Sequence, residues 1–465
     1  MRLINALRLD PQTRLALVGA GGKTSALFRL AKEFLDDGRW ARGASPGGKC
    51  VLLTATTHLA IEQTRLADRY FPIHSLEDLE IAARQELSGV VLFTGPQVEN
   101  ERVAGLSEPV LEHLFALAEA RRLPLLVEAD GSRRLPLKAP AAHEPLIPAW
   151  ARTVVVVAGL SALGKPLTGE WVHRPEIFAQ LAEQSPGEMI TPECMVKVLT
   201  SPQGGLKGVP PAARRIALLN QADTLERQAA ASQIARRLLG DFHAAAITVL
   251  SPPARELREP ETAVDGVQAV YEPIAGVVLA AGGSSRLGRP KQLLPWRGKP
   301  FVWHVAQTAL RAGLSPVIVV TGFAADETAS ALQGLPVSLA FNPSWQEGQG
   351  ASVAVGVKTL PEWVGGAVFL LADQPQIPAE LVASLVETHT KTLSPVIAPL
   401  AQGQRGNPAL FDQVTFDDLR SLSGEAGGRA LFSKYGVTWL PWLDSNILLD
   451  VDTEEDYRRL LEWGA

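Results

Sequence analysis

Short apolar runs rich in β-branched residues alternate with longer amphipathic stretches along most of the chain. The runs at 15–19, 51–54, 90–94, 123–128, 153–158, 216–220 and 246–250 are short and nearly continuous, the pattern of strands buried on both faces. Between them, 23–35, 111–121 and 225–239 carry apolar residues at helical spacing. This alternation predicts a mostly parallel sheet covered by helices. It breaks at 251–273, SPPARELREPETAVDGVQAVYEP, where proline and charge are dense, and 256–272 is expected to be a linker. A second alternation opens with a strand at 274–280 and continues with strands at 317–321, 367–371 and 396–398. The pattern predicts α/β domains at 1–255 and 273–465, with no fixed-period repeat.

Composition narrows the class. With 46% hydrophobic residues in 465, the chain can fill full cores, and disorder is excluded. A net charge of −5 argues against a general nucleic-acid or acidic-membrane binder, so any positive charge needed for anions must be local. Cys50 and Cys194 are too few for a disulfide framework or a metal cluster and suit a reducing compartment. The start, MRLINALRLD, lacks the apolar core of a signal peptide, and no apolar run approaches the ~18 residues that span a bilayer. A soluble cytoplasmic protein is expected, without nucleic-acid or membrane partners.

The string GVVLAAGGSSRLGRPKQLLPWRGKP takes an apolar strand into a loop of small residues, Ala280, Ala281, Gly282, Gly283 and Ser284, followed by Arg286 and Lys291. Small residues let backbone N–H groups approach an anion closely. Downstream, LLADQPQIP puts Asp373 just past a strand, where open α/β sheets bind ligands, and a carboxylate there suits Mg²⁺. LLDVDTEEDY spaces Asp450 and Asp452 by two, which on a short strand turns both to one face; alternatively Asp452 or Thr453 caps the following helix.

LAAGGSSRLGRPKQLL resembles the signature of nucleotidyltransferases, and 276–457 as a whole resembles the MocA-like molybdenum cofactor cytidylyltransferases. The loop start, Leu279-Ala280-Ala281-Gly282, is similar to the CTP-using branch, whereas Glu425 stands where the family pattern has Asp. The resemblance implies transfer of CMP from CTP to molybdopterin with release of pyrophosphate. It implies catalytic roles for Arg286, Lys291 and Asp373, and Mg²⁺ on Asp373 and Asp450. It further implies nucleotide contacts from Ala280 to Ser284 and from Ser352, and pterin contacts from Arg405, Gly406, Asn407 and Pro408.

At the other end, LALVGAGGKTSALFRLAKEF sets Gly19, Gly21, Gly22, Lys23, Thr24 and Ser25 between a strand and a helix. A phosphate loop needs that order, with N–H groups and a helix N-terminus facing the anion, Lys23 on the β/γ-phosphates and Thr24 on Mg²⁺. Leu17 occupies the first glycine of GxxxxGK[ST]; the shorter GxxGKT form, similar to that of Mur-ligase-like enzymes, fits from Gly19. The alternative is a strand–helix turn with a solvated Lys23. TATTH brings Thr56, Thr57 and His58 past the second strand, and VEADGSRRLPLKAPAAHEP puts Glu128 and Asp130 at a strand end as metal ligands. His58, His143 and His173 read either as loop histidines or as ligands. LLNQAD resembles the guanine-reading NKxD element, with Gln221 in place of Lys.

GAGGKTS, TATTH, VEADGSRRLPLKAPAAHEP and VHRPE together resemble the YqeC-like family, linked to maturation of selenium-dependent molybdenum hydroxylases. The expected fold is therefore α/β: two three-layer α/β domains, an N-terminal P-loop-like nucleotide-binding domain and a C-terminal Rossmann-like nucleotidyltransferase domain. The resemblance implies a second nucleotide, ATP or GTP, at the N-terminal domain. Its implied partners are a molybdenum hydroxylase or its maturation factors, and an oligomer is compatible with it. Two other readings stay open: transfer to a sugar or polyol phosphate, and a non-catalytic chaperone that carries the cofactor.

Overall fold

The computed structural model describes residues 1–38, 48–99, 101–250, 265–283 and 288–463. The chain divides into two compact units, Met1–Tyr271 and Glu272–Ala465.

In the first unit the strands are β1 (Arg14–Gly19), β2 (Cys50–Ala55), β3 (Arg69–Pro72), β4 (Gly89–Thr94), β5 (Leu125–Glu128), β6 (Thr153–Gly159), β7 (Arg214–Asn220), β8 (Ala244–Val249) and β9 (Gly266–Tyr271). They form one sheet in the order β9-β8-β7-β6-β1-β5-β2-β4-β3. Every pairing is parallel except β8 with β9. The helices are α1 (Lys23–Asp36), α2 (Glu108–Arg121), α3 (Pro175–Ala182), α4 (Pro192–Thr200) and α5 (Leu225–Leu238). Val18, Val154 and Val156 meet Phe178 of α3, Met195 of α4 and Ile234 of α5 in one core. α1 buries Leu27, Leu30 and Phe34 and packs on β2, β4 and β5. Each such side chain contributes about 1.5–3 kcal/mol on burial.

The expected linker at 256–272 needs correction. Gly266–Tyr271 is β9, an antiparallel edge strand on β8 with Val267 and Val270 buried. The strand is short, and the proline- and charge-rich stretch before it drew it into the expected linker. The boundary moves to Tyr271/Glu272.

The second unit contains β10 (Ile274–Ala280), β11 (Val317–Thr321), β12 (Ser338–Phe341), β13 (Gly366–Leu371), β14 (Val396–Ala401), β15 (Gln404–Arg405), β16 (Ala409–Asp412) and β17 (Thr438–Pro441). The order is β12-β11-β10-β13-β16-β14-β15, with β17 beside β14. β12, β11, β10 and β13 are parallel, and β16 joins β13 antiparallel. α6 (Phe301–Arg311) and α8 (Ala379–Thr392) cover one face, with Val302, Val305, Leu381 and Leu385. α7 (Gln349–Lys358) covers the other, with Val353 and Val357. α9 (Glu454–Trp463) puts Tyr457 and Leu460 into a satellite cluster with Leu294, Trp296 and Phe301.

The short strand expected to carry Asp450 and Asp452 is absent. A 3-10 turn, Ser445–Leu448, runs into an irregular stretch and then α9. The Asp456 carboxylate accepts from the Asp452 and Thr453 N–H groups, while Thr453 Oγ1 accepts from the Asp456 N–H. These groups serve a helix cap instead of a sheet ladder, and Thr453 is the capping residue. Among the described residues, no helix is long and apolar enough to cross a membrane.

Candidate functional sites

In the second unit β10 lies between β11 and β13, so a crevice opens at the C-terminal ends of β10 and β13. Ala280 and Ala281 are buried at the end of β10, and Gly282 and Gly283 begin the loop. Ser284 and Arg286 lie outside the described residues. Gln292 Nε2 donates to the carbonyls of Gly282 and Phe323, both at 3.3 Å, and so ties the loop to the end of β11.

Lys291 and Asp373 come together, with Nζ 3.5 Å from Oδ2. Lys291 is also ion-paired to Asp452. Burial works against the lysine charge, but Asp452 and Asp373 outweigh it and raise its pKa. Asp373 Oδ1 is shielded from water and, among the described residues, has no hydrogen-bond partner. Burial pushes this carboxyl up to about 6, against the pull of Lys291 and with help from Asp450. A buried, unpartnered carboxylate oxygen beside solvent-reaching acids is a hard-donor set that fits Mg²⁺. Asp450 Oδ1 accepts from Gln374 Nε2 at 2.6 Å. The enclosing chain and the Asp452 charge move Asp450 upward, although the residue keeps contact with solvent.

Other expected contacts fall elsewhere. Ser352 is buried on α7, where its Oγ accepts from Asn342 Nδ2 at 2.9 Å. Arg405 is exposed at the end of β15, and the Gly406 N–H donates to Pro399 O at 2.9 Å. Arg405, Gly406, Asn407 and Pro408 thus lie on the β14–β16 side of the sheet.

In the first unit the loop after β1 meets α1 at Gly22, which caps the helix without a side-chain bond. The first-turn N–H groups of α1, including those of Thr24 and Ser25, have no intrahelical carbonyls to bond. A Cβ at Gly21 (φ 84°) would lie 2.4 Å from Gly159 N, and one at Gly22 (φ 136°) 2.3 Å from Asn220 Nδ2. Asn220 donates to Gly21 O at 2.8 Å and accepts from Thr248 Oγ1 and the Leu250 N–H. The Asn of the NKxD-like segment therefore braces the loop. Gln221 Oε1 accepts from Ser161 Oγ at 2.6 Å.

Lys23 is not solvated. Its buried Nζ donates to Gly19 O at 2.7 Å and lies 3.2 Å from Asp130 and 3.7 Å from Glu128. Burial opposes its charge, but Asp130 and Glu128 outweigh the penalty and raise its pKa. Asp130 accepts from the Gly19 N–H with both oxygens and pairs with Lys138 at 2.8 Å. Its oxygens are thus spent on cations and the loop rather than held open as metal ligands. Glu128 keeps the looser ion pair and accepts from Thr24 Oγ1 at 3.0 Å; burial pushes its pKa upward.

The charges continue outward. Lys138 pairs with Glu144 at 2.9 Å, and Arg174 grips both Glu144 oxygens. Although burial works upward, the Arg174 and Lys138 hydrogen bonds bring Glu144 down to about 2. Burial, with Arg174 and Lys138, pushes His173 down to about 4. His58 and His143 are exposed. Among the described residues, the Thr56 and Thr57 hydroxyls are buried without partners beside this site, where the Thr56 N–H bonds Glu128 O. Among the described residues, no group of three or more His, Cys, Asp or Glu is assembled to hold a metal.

Sequence reasoning did not single out Gln63, which donates to Thr24 Oγ1 at 3.0 Å, or Gln374, Phe323 and Trp345. Nothing in their local pattern distinguishes them from ordinary surface or core residues.

A glycine loop after a central strand of a mixed sheet, with a carboxylate and a lysine converging beside it, fits a nucleotidyltransferase domain. The MobA-like NTP transferase profile matches 276–438, and the YqeC protein profile matches 15–176. Over 228 residues the chain is 32% identical to the uncharacterized protein YqeC of Escherichia coli, covering 49% of this chain and 82% of that protein. It is also 32% identical over 203 residues to nicotine blue oxidoreductase of Paenarthrobacter nicotinovorans, covering 40% of this chain and 96% of that protein. The crystal structure of Rv0371c from Mycobacterium tuberculosis covers 41% of this chain and 98% of its own, at 32% identity and a TM-score of 0.38. The chain belongs to the YqeC family through its first unit and to the MobA-like NTP transferases through its second.

Proposed function

We propose that the second unit transfers CMP from CTP to molybdopterin, giving molybdopterin cytosine dinucleotide and pyrophosphate. The observation that carries this reading is the shielded, unpartnered Asp373 Oδ1 with Lys291 beside the glycine loop. The acceptor's terminal phosphate is already ionised near neutral pH, so no protein base is required. A phosphate oxygen forms a bond to the α-phosphorus of CTP as the bridge to the β-phosphate breaks. The barrier lies in bringing anions together, which positioning and electrostatics lower. Lys291 supplies positive charge to the triphosphate, and Arg286, six residues past Ala280, adds to it. Mg²⁺ held by Asp373 with Asp450 would neutralise charge on the phosphates. Ala280 to Ser284 line the nucleotide, and Ser352 braces the segment beside it. Arg405, Gly406, Asn407 and Pro408 face the pterin.

For the first unit we propose ATP or GTP at Gly19, Gly21, Gly22, Lys23, Thr24 and Ser25, in service of cofactor modification or delivery to a molybdenum hydroxylase in the cytoplasm. Its Mg²⁺ would be met by Thr24 and Glu128, with Asp130 holding Lys23 in place.

Incubating the full chain with molybdopterin, Mg²⁺ and CTP, GTP or ATP tests the transfer. Dinucleotide and pyrophosphate are expected with CTP. Product from GTP alone overturns the base assignment. Tight cofactor binding without product from any nucleotide favours the chaperone reading.

A further inference from the structure

Two aromatic residues flank the described start of the glycine loop in the second unit. Phe323 follows β11, and its N–H donates to Ala281 O at 3.0 Å. Trp345 follows β12 in a 3-10 turn. Their ring centroids are 5.4 Å apart. Both abut Gly283, where a Cβ would lie 3.0 Å from Trp345 Cζ3 and 3.6 Å from Phe323 Cγ. The pair is held firmly. Buried Asn342 donates from its backbone N–H to Thr321 O at 2.8 Å, and its Oδ1 accepts from the Ser344 N–H at 3.0 Å, fixing the turn that carries Trp345. Yet Phe323 keeps 41% of its surface exposed. A rigid aromatic ring left open beside an anion-binding loop is a stacking surface for a planar heteroaromatic group.

Sheet order selects which group. Phe323 and Trp345 stand on the β11–β12 side of β10. Asp373 follows β13, and Arg405–Pro408 lie farther along, by β14 and β16. With the reacting phosphates at the β10–β13 crevice, the two ends of the reacting pair extend to opposite sides. We propose that Phe323, seated on Trp345, stacks against the base of the nucleoside triphosphate. This rests on the transferase reading and adds a specificity surface to it.

The test uses the full chain and measures direct binding of CTP and of inorganic tripolyphosphate, which has no base. The Phe323→Ala variant should bind CTP at least about fivefold more weakly, the scale of one base–aromatic stack. Its tripolyphosphate affinity should be unchanged, and Phe323→Tyr should restore CTP binding. In turnover, KM for the nucleotide should rise while kcat at saturation and KM for the acceptor hold. Equal CTP affinity in the Phe323→Ala and unaltered chains overturns the stacking and leaves the transferase reading standing. A raised KM for the acceptor alone would put the pterin on this ring instead and overturn the assignment to the base. Full stacking behaviour without dinucleotide formation would keep the base site and sink the reaction.

Discussion

At the scale of single residues, burial sets the chemistry more than identity does. Asp373 and Asp130 are both strand-end carboxylates, but Asp130 is saturated by Gly19, Lys23 and Lys138, whereas Asp373 Oδ1 has no partner among the described residues. Asp373→Asn, nearly isosteric, should therefore abolish transfer while leaving the fold intact by circular dichroism; an active variant would remove Asp373 from the reaction. Because its carboxyl sits up at about 6, protons compete with a divalent cation below that pH. Cation affinity measured by calorimetry should fall between pH 7 and pH 5, and a flat profile would argue against this ligand. His173 behaves oppositely in sign to a paired histidine. With a folded pKa of about 4, its unfolded form binds more protons from about 6.5 downward, so stability falls as pH drops through that window. Glu144, at about 2, adds a further loss as pH falls below its ordinary value. Native-state hydrogen exchange of β1 and β6 amides should report both losses, and His173→Gln should flatten the first.

Elements were legible in the sequence wherever their signal was self-contained. The strand expected at 274–280 is β10 without change, and the one at 153–158 gains only Gly159. Continuous β-branched runs buried on two faces announce themselves, and so do glycines ahead of a helix. The ion-pair chain from Lys23 through Asp130, Lys138 and Glu144 to Arg174 was not legible as a chain, because each charge finds its partner only after β5 and α3 are in place. Removing one member strands another in a buried setting, so Lys138→Met should destabilise the first unit by roughly 3–5 kcal/mol in denaturant unfolding. The edge strand β9 was missed because it is short and directly follows a proline- and charge-rich stretch. Its role is open to a direct comparison: a chain ending at 271 should stay free of large aggregates in light scattering. One ending at 255 bares the edge of β8 and should aggregate.

Across the whole molecule, each unit has its own sheet, core and glycine-rich loop after a strand. The overall charge of −5 says little about the local setting of Lys23 and Lys291, each of which lies beside a glycine loop and pairs with acids. Independent cores predict separable losses. Lys23→Ala should abolish nucleotide binding at the first unit, yet leave dinucleotide formation by the second within about twofold, as expected for positions in units with separate cores. A parallel collapse of both activities would mean that the first nucleotide gates the second reaction.

Asn220 carries a final consequence. Its side chain joins the loop carbonyl of Gly21 to Thr248 and to the Leu250 N–H beyond β8, so the loop is braced from inside the sheet. An incoming phosphate would then meet a receptor already in shape, and the disorder lost on binding would be mainly the ligand's own. The Asn220 carboxamide protons should exchange slowly with solvent in the empty protein and change little on saturation. The signature of occupancy would lie in the arriving anion and not in a reshaped backbone.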